Sequence, residues 1–198
     1  MSAARARLEI VREPDQPADE WAADTPTSPW QPAHQLIGAL MWLPAPAARP
    51  ILDMVPDDAI THPLTRWTLE VIRTVVHAGD DPTPPVVLAA AKHQPARDAL
   101  RADQPPTGQQ LRRIALYLYD AYSQTVCPEA AAATYAREVL DHAYRRAFAT
   151  CGIRMQQLGE CGAANRADLT TQFTRIRDEL ADLWRRCETA AKPGWDRP

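Results

Sequence analysis

The sequence predicts an all-α fold in which a compact helical globule is followed by a long antiparallel helical hairpin. Glycine is scarce, with 7 of 198 residues, while alanine and arginine recur throughout. That composition favours helices over strands. Proline is abundant, with 19 residues, but between Thr107 and Lys192 it occurs only as Pro128. The second half of the chain is therefore free to form long helices, and apolar residues recur there at helical spacing.

Length and charge limit the classes of protein to consider. A chain of 198 residues can bury a core without disulfides or metal. A net charge of -3 at pH 7 argues against a nucleic-acid or membrane binder that acts through charge alone. The longest apolar stretch, at 36–46, is far shorter than the roughly 20 residues of a membrane span, and the first residues lack the apolar core of a signal peptide. We therefore expect a cytoplasmic protein without membrane contact.

Proline positions divide the chain into predicted segments. The N-terminal stretch combines prolines with acidic and small residues and has no sustained apolar period, which indicates disorder. Trp21 and Trp30 are the large aromatic residues of this stretch. We expect each of them either to anchor a partner or to pack back on its own domain. The predicted segments are a disordered tail at 1–31, the globule at 32–125, the hairpin at 126–190 and a second tail at 191–198.

Capping residues locate the helices of the globule. The strongest prediction is a helix that opens at Pro63, with Thr61 or His62 as its cap and Gly79 as its stop. Thr107 is a second candidate cap, for a helix that leads up to the hairpin. The other predicted helices and helical segments cover 32–43 and 47–55 and begin at 84.

Two long amphipathic helices form the predicted hairpin. From Pro128 to Leu158, apolar residues keep one face for about eight turns. Gly159 and Gly162 break that helix. Asn165 or Asp168 can cap the next helix, in which a heptad pattern follows. Its apolar positions are Leu169, Phe173, Ile176, Leu180, Leu183 and Cys187. A short connection between two such helices predicts an antiparallel pair.

The sequence contains no motif for a reaction. The phosphate-binding pattern GxxxxGK[ST] and the nucleophile pattern GxSxG are absent, and the five histidines lie singly at distant positions. We expect no catalytic residue, no cofactor and no metal site. Cysteines without CxxC spacing indicate reduced, buried thiols rather than disulfides; these are Cys127, Cys151, Cys161 and Cys187.

Three arginine doublets on predicted helices are candidate nucleic-acid contacts. They are Arg112-Arg113, Arg145-Arg146 and Arg185-Arg186. Gathered by the fold, they would form a phosphate-binding surface. Acidic residues close to each doublet favour the alternative, a solvated helix face.

The hairpin also predicts a protein interface. Two paired helices cover only part of their apolar surface, and burial of each further large side chain is worth about 1.5 to 3 kcal/mol. An interaction module follows from this. The predicted interface residues are Tyr144, Phe148, Leu169, Phe173, Ile176, Leu180, Leu183 and Trp184.

The order of three motifs resembles the N-terminal domain of DnaB-type replicative helicases. In that family a first helix carries an L-G-A-L-L-type segment, a P-E-D-F-type turn follows, and the hairpin opens with an A-x-x-Y-A-x-x-V-type run. The matching segments here are His34-Gln-Leu-Ile-Gly-Ala-Leu-Met-Trp-Leu-Pro44, Ile51-Leu-Asp-Met-Val-Pro-Asp-Asp58 and Ala132-Ala-Thr-Tyr-Ala-Arg-Glu-Val139. The aromatic of the P-E-D-F turn is missing around Asp58-Ala59-Ile60.

This resemblance, over about 33–188, implies a replication role without helicase activity. It implies a stand-alone relative of the helicase N-terminal collar, which associates with itself or with a replicative helicase and contacts primase or a loader. The alternative from the residues is a helical nucleic-acid-binding or regulatory protein that uses the arginine doublets.

Overall fold

The computed structural model describes residues 28–99, 103–162 and 165–196, and within them the chain forms seven α-helices, one 3₁₀ turn and no strand. The predicted all-α fold is confirmed. Trp21 and most of the predicted N-terminal tail lie outside the described residues. The helices are α1 (Pro32–Leu40), α2 (Ala45–Met54), α3 (Pro63–Ala78), α4 (Pro84–Ala91), α5 (Gly108–Gln124), α6 (Pro128–Glu160) and α7 (Arg166–Ala190), and the 3₁₀ turn is Asp57–Ala59.

The predicted caps begin and end the helices. The ring of His62 accepts a hydrogen bond from the backbone N–H of Thr65 at the start of α3. Gly79 ends that helix with φ of 95°, in the left-handed region that glycine adopts without strain. Thr107 and Asn165 each form a reciprocal capping box with the residue three positions later. Local sequence therefore determines where three of the longer helices start.

Helix α1 is shorter than predicted. It ends at Leu40, and the backbone N–H groups of Trp42 and Leu43 bond to carbonyls three residues back. The turn follows from Pro44, which disfavours helical backbone in the residue before it. Proline also opens α2, which begins at Ala45 with Pro44 as its cap, two residues earlier than predicted.

The first half of α6 lies in the same hydrophobic core as the globule. Five of its side chains are at most 3% exposed and belong to one core cluster with residues of α1, α3 and α5; they are Ala132, Ala136, Val139, Leu140 and Ala143. The boundary predicted at 125/126 is therefore a connection between helices and does not separate two cores. Helix α6 therefore supplies part of the interior of the globule.

Gly38 sets the distance between α1 and α5. A Cβ atom at this position would lie 1.6 Å from Oγ1 of Thr125 and 2.1 Å from the backbone carbonyl oxygen of Ala121. Neither contact is sterically allowed, so only glycine permits this approach of the two helices. The glycine of the first motif is thus a packing requirement at the end of α5.

Candidate protein interaction surface

Large apolar side chains stay exposed on both helices of the hairpin. On α6, Phe148 is 60% and Met155 42% exposed; on α7, Phe173 is 56% and Trp184 51% exposed. We call these four residues the hairpin patch. The ring of Tyr144 contacts that of Phe148 edge to face, with centroids 5.9 Å apart, so it supports the patch from one side.

The hairpin patch lies on one face of the hairpin. Phe148 precedes the buried Cys151 by three residues, and Phe173 precedes the buried Ile176 by three residues. Each phenylalanine is therefore rotated by roughly 60° in the same sense from the inner line of its helix. Because the two helices are antiparallel, equal rotations bring both rings to the same side. The patch therefore runs along one side of the hairpin.

The other predicted interface residues lie deeper. Leu169 is 37% exposed, Leu180 is partly buried, and Leu183 is partly buried against the core. Ile176 is only 1% exposed. The assignment of Ile176 to partner contact is corrected, because its side chain fills the interior of the hairpin and cannot reach a partner.

Two arginines of the doublets fix the hairpin to the globule. Arg146 of α6 donates to the carbonyl oxygens of Asp58 and Ala59, at 3.2 and 2.9 Å. Arg186 of α7 donates to the carbonyl oxygens of Asp53 and Met54, at 3.2 and 2.9 Å. These carbonyls lie at the end of α2 and in the 3₁₀ turn, so both arginines satisfy helix ends.

The remaining doublet residues are placed differently. Arg112 and Arg145 are exposed, and Arg113 is partly buried on α5. Arg185 is exposed and lies 3.6 Å from a carboxylate oxygen of Asp182. Of the six candidate nucleic-acid contacts, Arg146 and Arg186 already donate hydrogen bonds to the globule. Each doublet of the hairpin therefore has one partly buried and one exposed member.

The four cysteines differ in burial according to their positions in the helices. Cys151 is fully buried, and burial raises the pKa of its thiol; Cys187 is partly buried, and burial raises its thiol pKa as well. Cys127 and Cys161 are exposed. The prediction that all four thiols are buried is wrong for these two, because they flank the ends of α6 rather than lying inside it.

A solved structure has the same arrangement of helices. The crystal structure of the N-terminal domain of DnaB helicase from Mycobacterium tuberculosis matches with a TM-score of 0.56 at 23% identity, over 76% of this chain and 95% of that chain. No protein-family model and no curated protein matches the chain. The chain has the fold of that helicase domain. The resemblance predicted from the sequence is confirmed at the level of fold.

The three motifs that resemble the helicase N-terminal domain meet where α6 docks. The first lies in α1 and the third in α6, which pack against one another, and the second includes the 3₁₀ turn that also contacts α6. In that turn Asp57 accepts hydrogen bonds from Arg73 of α3, with a shortest N–O distance of 2.8 Å. The motifs therefore build the junction between the globule and the hairpin, and the hairpin patch lies beyond it.

A buried histidine lies beside this junction. His34 of α1 is 2% exposed, and neither ring nitrogen has a hydrogen-bond partner among the described residues. Its ring contacts that of Tyr117 edge to face, with centroids 5.3 Å apart. Burial lowers the pKa of His34, partly opposed by the carboxylate of Asp120. The neutral ring is therefore the form that the core accommodates.

A second apolar surface lies at the other end of the junction. Trp42 stacks on Tyr122 with ring centroids 4.4 Å apart, and its indole N–H donates to the carbonyl oxygen of Tyr122. Trp42 is 44% and the neighbouring Tyr119 70% exposed. No local sequence pattern indicates this surface, since Trp42 and Tyr122 are 80 residues apart. Trp67, by contrast, is buried, and its indole N–H donates to the carbonyl oxygen of Gln94.

Within the described residues, no group of three His, Cys, Asp or Glu side chains is placed to hold a metal ion. No helix of that part of the chain combines the length and apolar character needed to cross a bilayer.

Proposed function

We propose that this protein is a non-enzymatic interaction protein of DNA replication. In this proposal the hairpin patch mediates association with copies of itself or with a replicative helicase, primase or helicase loader. The observation that carries the proposal is the strip of four large apolar side chains, each between 42% and 60% exposed, on one face of the hairpin. The fold of the DnaB helicase N-terminal domain supports the replication context.

The size of the patch indicates what kind of contact it makes. Complete burial of a large apolar side chain is worth about 1.5 to 3 kcal/mol, and about half of each patch residue is already covered. The four residues together would then contribute on the order of 3 to 6 kcal/mol. Association costs about 4 to 15 kcal/mol in lost freedom of motion. The patch is therefore the centre of a larger contact, to which Leu169 and Tyr144 would add area.

Sedimentation velocity on the full chain tests the proposal. We expect the wild-type protein to sediment as an oligomer, and the double variant Phe148→Ser with Phe173→Ser to sediment as a monomer. Leu116→Ser is the matched control, since Leu116 is 67% exposed on α5 and outside the hairpin; it should assemble like the wild type. Double-variant protein that assembles normally would overturn the hairpin as the self-association site.

If the wild-type protein is a monomer, a second experiment tests the proposal. Binding is then measured to the purified replicative helicase and primase of the same cell, with the same three proteins. Loss of binding in the double variant alone supports the proposal. A monomer that binds neither protein, or a double variant that binds as well as the wild type, contradicts it.

Nucleic-acid binding is the rival function. It is supported by the exposure of Arg112 and Arg145 and weakened by the structural hydrogen bonds of Arg146 and Arg186. Salt dependence separates the two functions. Phosphate contacts lose affinity steeply between about 50 and 200 mM salt, whereas an apolar interface responds little.

A further inference from the structure

The second apolar surface is an open groove beside the start of α6. We call it the globule groove, and its volume is about 700 Å³. It is lined by Trp42, Tyr119, Tyr122, Thr125, Cys127 and Pro128, among others. Aromatic rings form much of its wall, and the exposed thiol of Cys127 lies at its edge. A site of this size and composition accommodates a large aromatic side chain.

The chain enters the fold next to this groove. The side-chain amide of Gln35 donates to the carbonyl oxygen of Pro29 at 2.6 Å and to that of Gln124 at 3.2 Å. Its carbonyl oxygen accepts from the backbone N–H of Val126 at 2.9 Å. Gln35 therefore ties the first described residues to the α5–α6 connection. That connection also supplies Thr125 and Cys127 to the groove.

We propose that the segment at 1–27 docks in the globule groove, with the indole of Trp21 as its anchor. Trp21 lies eight positions before Pro29, whose carbonyl is fixed by Gln35, and that length of chain spans up to roughly 28 Å when extended. The α5–α6 connection is well within that reach. Because the segment is tethered beside the groove, its effective concentration there is in the mM range. A short aromatic segment of the same chain therefore competes well with a free partner.

Trp30 is not the anchor, although it is nearer to the groove along the chain. Its side chain is 78% exposed in the structure, so it contributes little to packing. Trp21 is the remaining tryptophan in the N-terminal stretch, and an aromatic ring is the group that such an apolar groove binds best.

Charge around the anchor agrees with this placement. Asp19, Glu20 and Asp24 flank Trp21 in the sequence. The N-terminus of α6, which carries partial positive charge, lies in the groove and has no side-chain cap. Glu129 in the first turn of α6 offsets part of this attraction. Burial of the indole, rather than charge, is therefore the main contribution to docking.

Thiol labelling of the full-length protein tests this proposal. Cys127 lies at the groove, whereas Cys161 is exposed after the far end of α6, so Cys161 is an internal control in the same molecule. Labelling by a small maleimide is followed at each cysteine by peptide mass spectrometry. A groove occupied nine-tenths of the time would slow labelling of Cys127 about tenfold, because only the open fraction reacts.

Trp21→Ala should raise the labelling rate of Cys127 by that factor and leave Cys161 unchanged. Trp30→Ala is the matched control, which removes an indole from the same stretch and should leave both rates at the wild-type value. Equal Cys127 rates in wild type and Trp21→Ala would overturn the proposal. Protection of Cys127 that grows with protein concentration would also overturn it, since the occupant would then be a second copy of the chain. The result is independent of the hairpin patch, because neither variant alters that surface.

Discussion

The two halves of α6 differ in how their apolar side chains are covered. In the first half, alanines and the side chains of Val139 and Leu140 are fully buried against α1 and the rest of the globule. In the second half, Cys151 is fully buried, while Phe148 and Met155 remain largely exposed. One continuous helix of 33 residues thus carries a core segment and a surface segment.

The size of the side chains determines how closely other helices approach each half of α6. Small residues in the first half let α1 approach closely, and Gly38 permits a similarly close approach at the end of α5. The large apolar residues in the second half lie along α7, and one helix cannot cover them. Stability should therefore depend mainly on the first half and association mainly on the second. Four sets of substitutions test this division.

Gly38→Ala should have the largest effect on stability. The added Cβ would collide with the backbone carbonyl oxygen of Ala121, which cannot move without displacing the end of α5. We expect the free energy of unfolding to fall by about 4 kcal/mol, measured by urea denaturation followed by circular dichroism. Gly152→Ala is the control in the second half of α6, where a Cβ has no neighbour within 4 Å. It should raise stability by about 0.5 to 1 kcal/mol, and a loss there would argue against this account of the outer hairpin.

Leu140→Ala and Met155→Ala compare the two halves directly. Leu140 is fully buried in the shared core, and its truncation should lower the free energy of unfolding by about 3 kcal/mol. Met155 is 42% exposed, so its truncation should cost less than about 1 kcal/mol and reduce association instead. Equal losses of stability in urea denaturation would show that the two halves of α6 are equally buried in solution.

Replacement of an arginine that fixes the hairpin to the globule should have a smaller effect on the free energy of unfolding. Arg146→Gln removes two hydrogen bonds to carbonyl oxygens, and we expect a loss of about 1 kcal/mol, since the guanidinium is partly exposed. Arg145→Gln changes the exposed member of the same doublet and should be within about 0.5 kcal/mol of wild type. Chemical denaturation of both variants checks this, and an equal cost for both would remove the distinction between the two arginines.

The pH dependence of stability should show the smallest effect. Burial lowers the pKa of His34 and of His62 below the ordinary value of 6.5, so the unfolded chain binds these protons more tightly. The free energy of unfolding should therefore fall as pH drops below about 6.5. His34→Leu should flatten this slope.

A buried carboxyl group, Glu70, also contributes to the pH dependence of stability. Burial raises the pKa of Glu70 above 4.5. The contribution of this carboxyl group to the free energy of unfolding therefore increases as pH falls towards that value, which opposes the histidine contribution. Comparison of wild type with His34→Leu by urea denaturation at each pH removes the Glu70 contribution, because both proteins share it. A slope unchanged by His34→Leu would indicate that the buried ring does not titrate with a shifted pKa.

Local chemistry was predictable from the sequence, and long-range packing was not. The caps at His62, Thr107 and Asn165 depend on residues three positions away, and all three are confirmed. The anchor formed by Arg186 joins residues about 130 positions apart, and nothing in the local pattern distinguishes it from Arg185. For the same reason the sequence did not show which half of the long apolar stripe enters the globule.

The candidate surface was predictable in part. Phe148, Phe173 and Trp184 were predicted to be interface residues, and all three are exposed, although contact with a partner stays a prediction. Ile176 belongs to the same heptad pattern but faces inward, because a heptad marks the inner line of the helix pair and its edges alike. The globule groove depends on the stacking of Trp42 on Tyr122, and it had no local signal.

Hydrogen exchange of the full-length protein tests the division between core and contact most directly. Amide exchange is compared by mass spectrometry between dilute protein and protein at an associating concentration, or with the purified replicative helicase added. We predict slower exchange in peptides from 144–160 and 166–184 on association, and no change in peptides from α5. Slower exchange in α5 with an unchanged hairpin would contradict the account and move the contact to the globule.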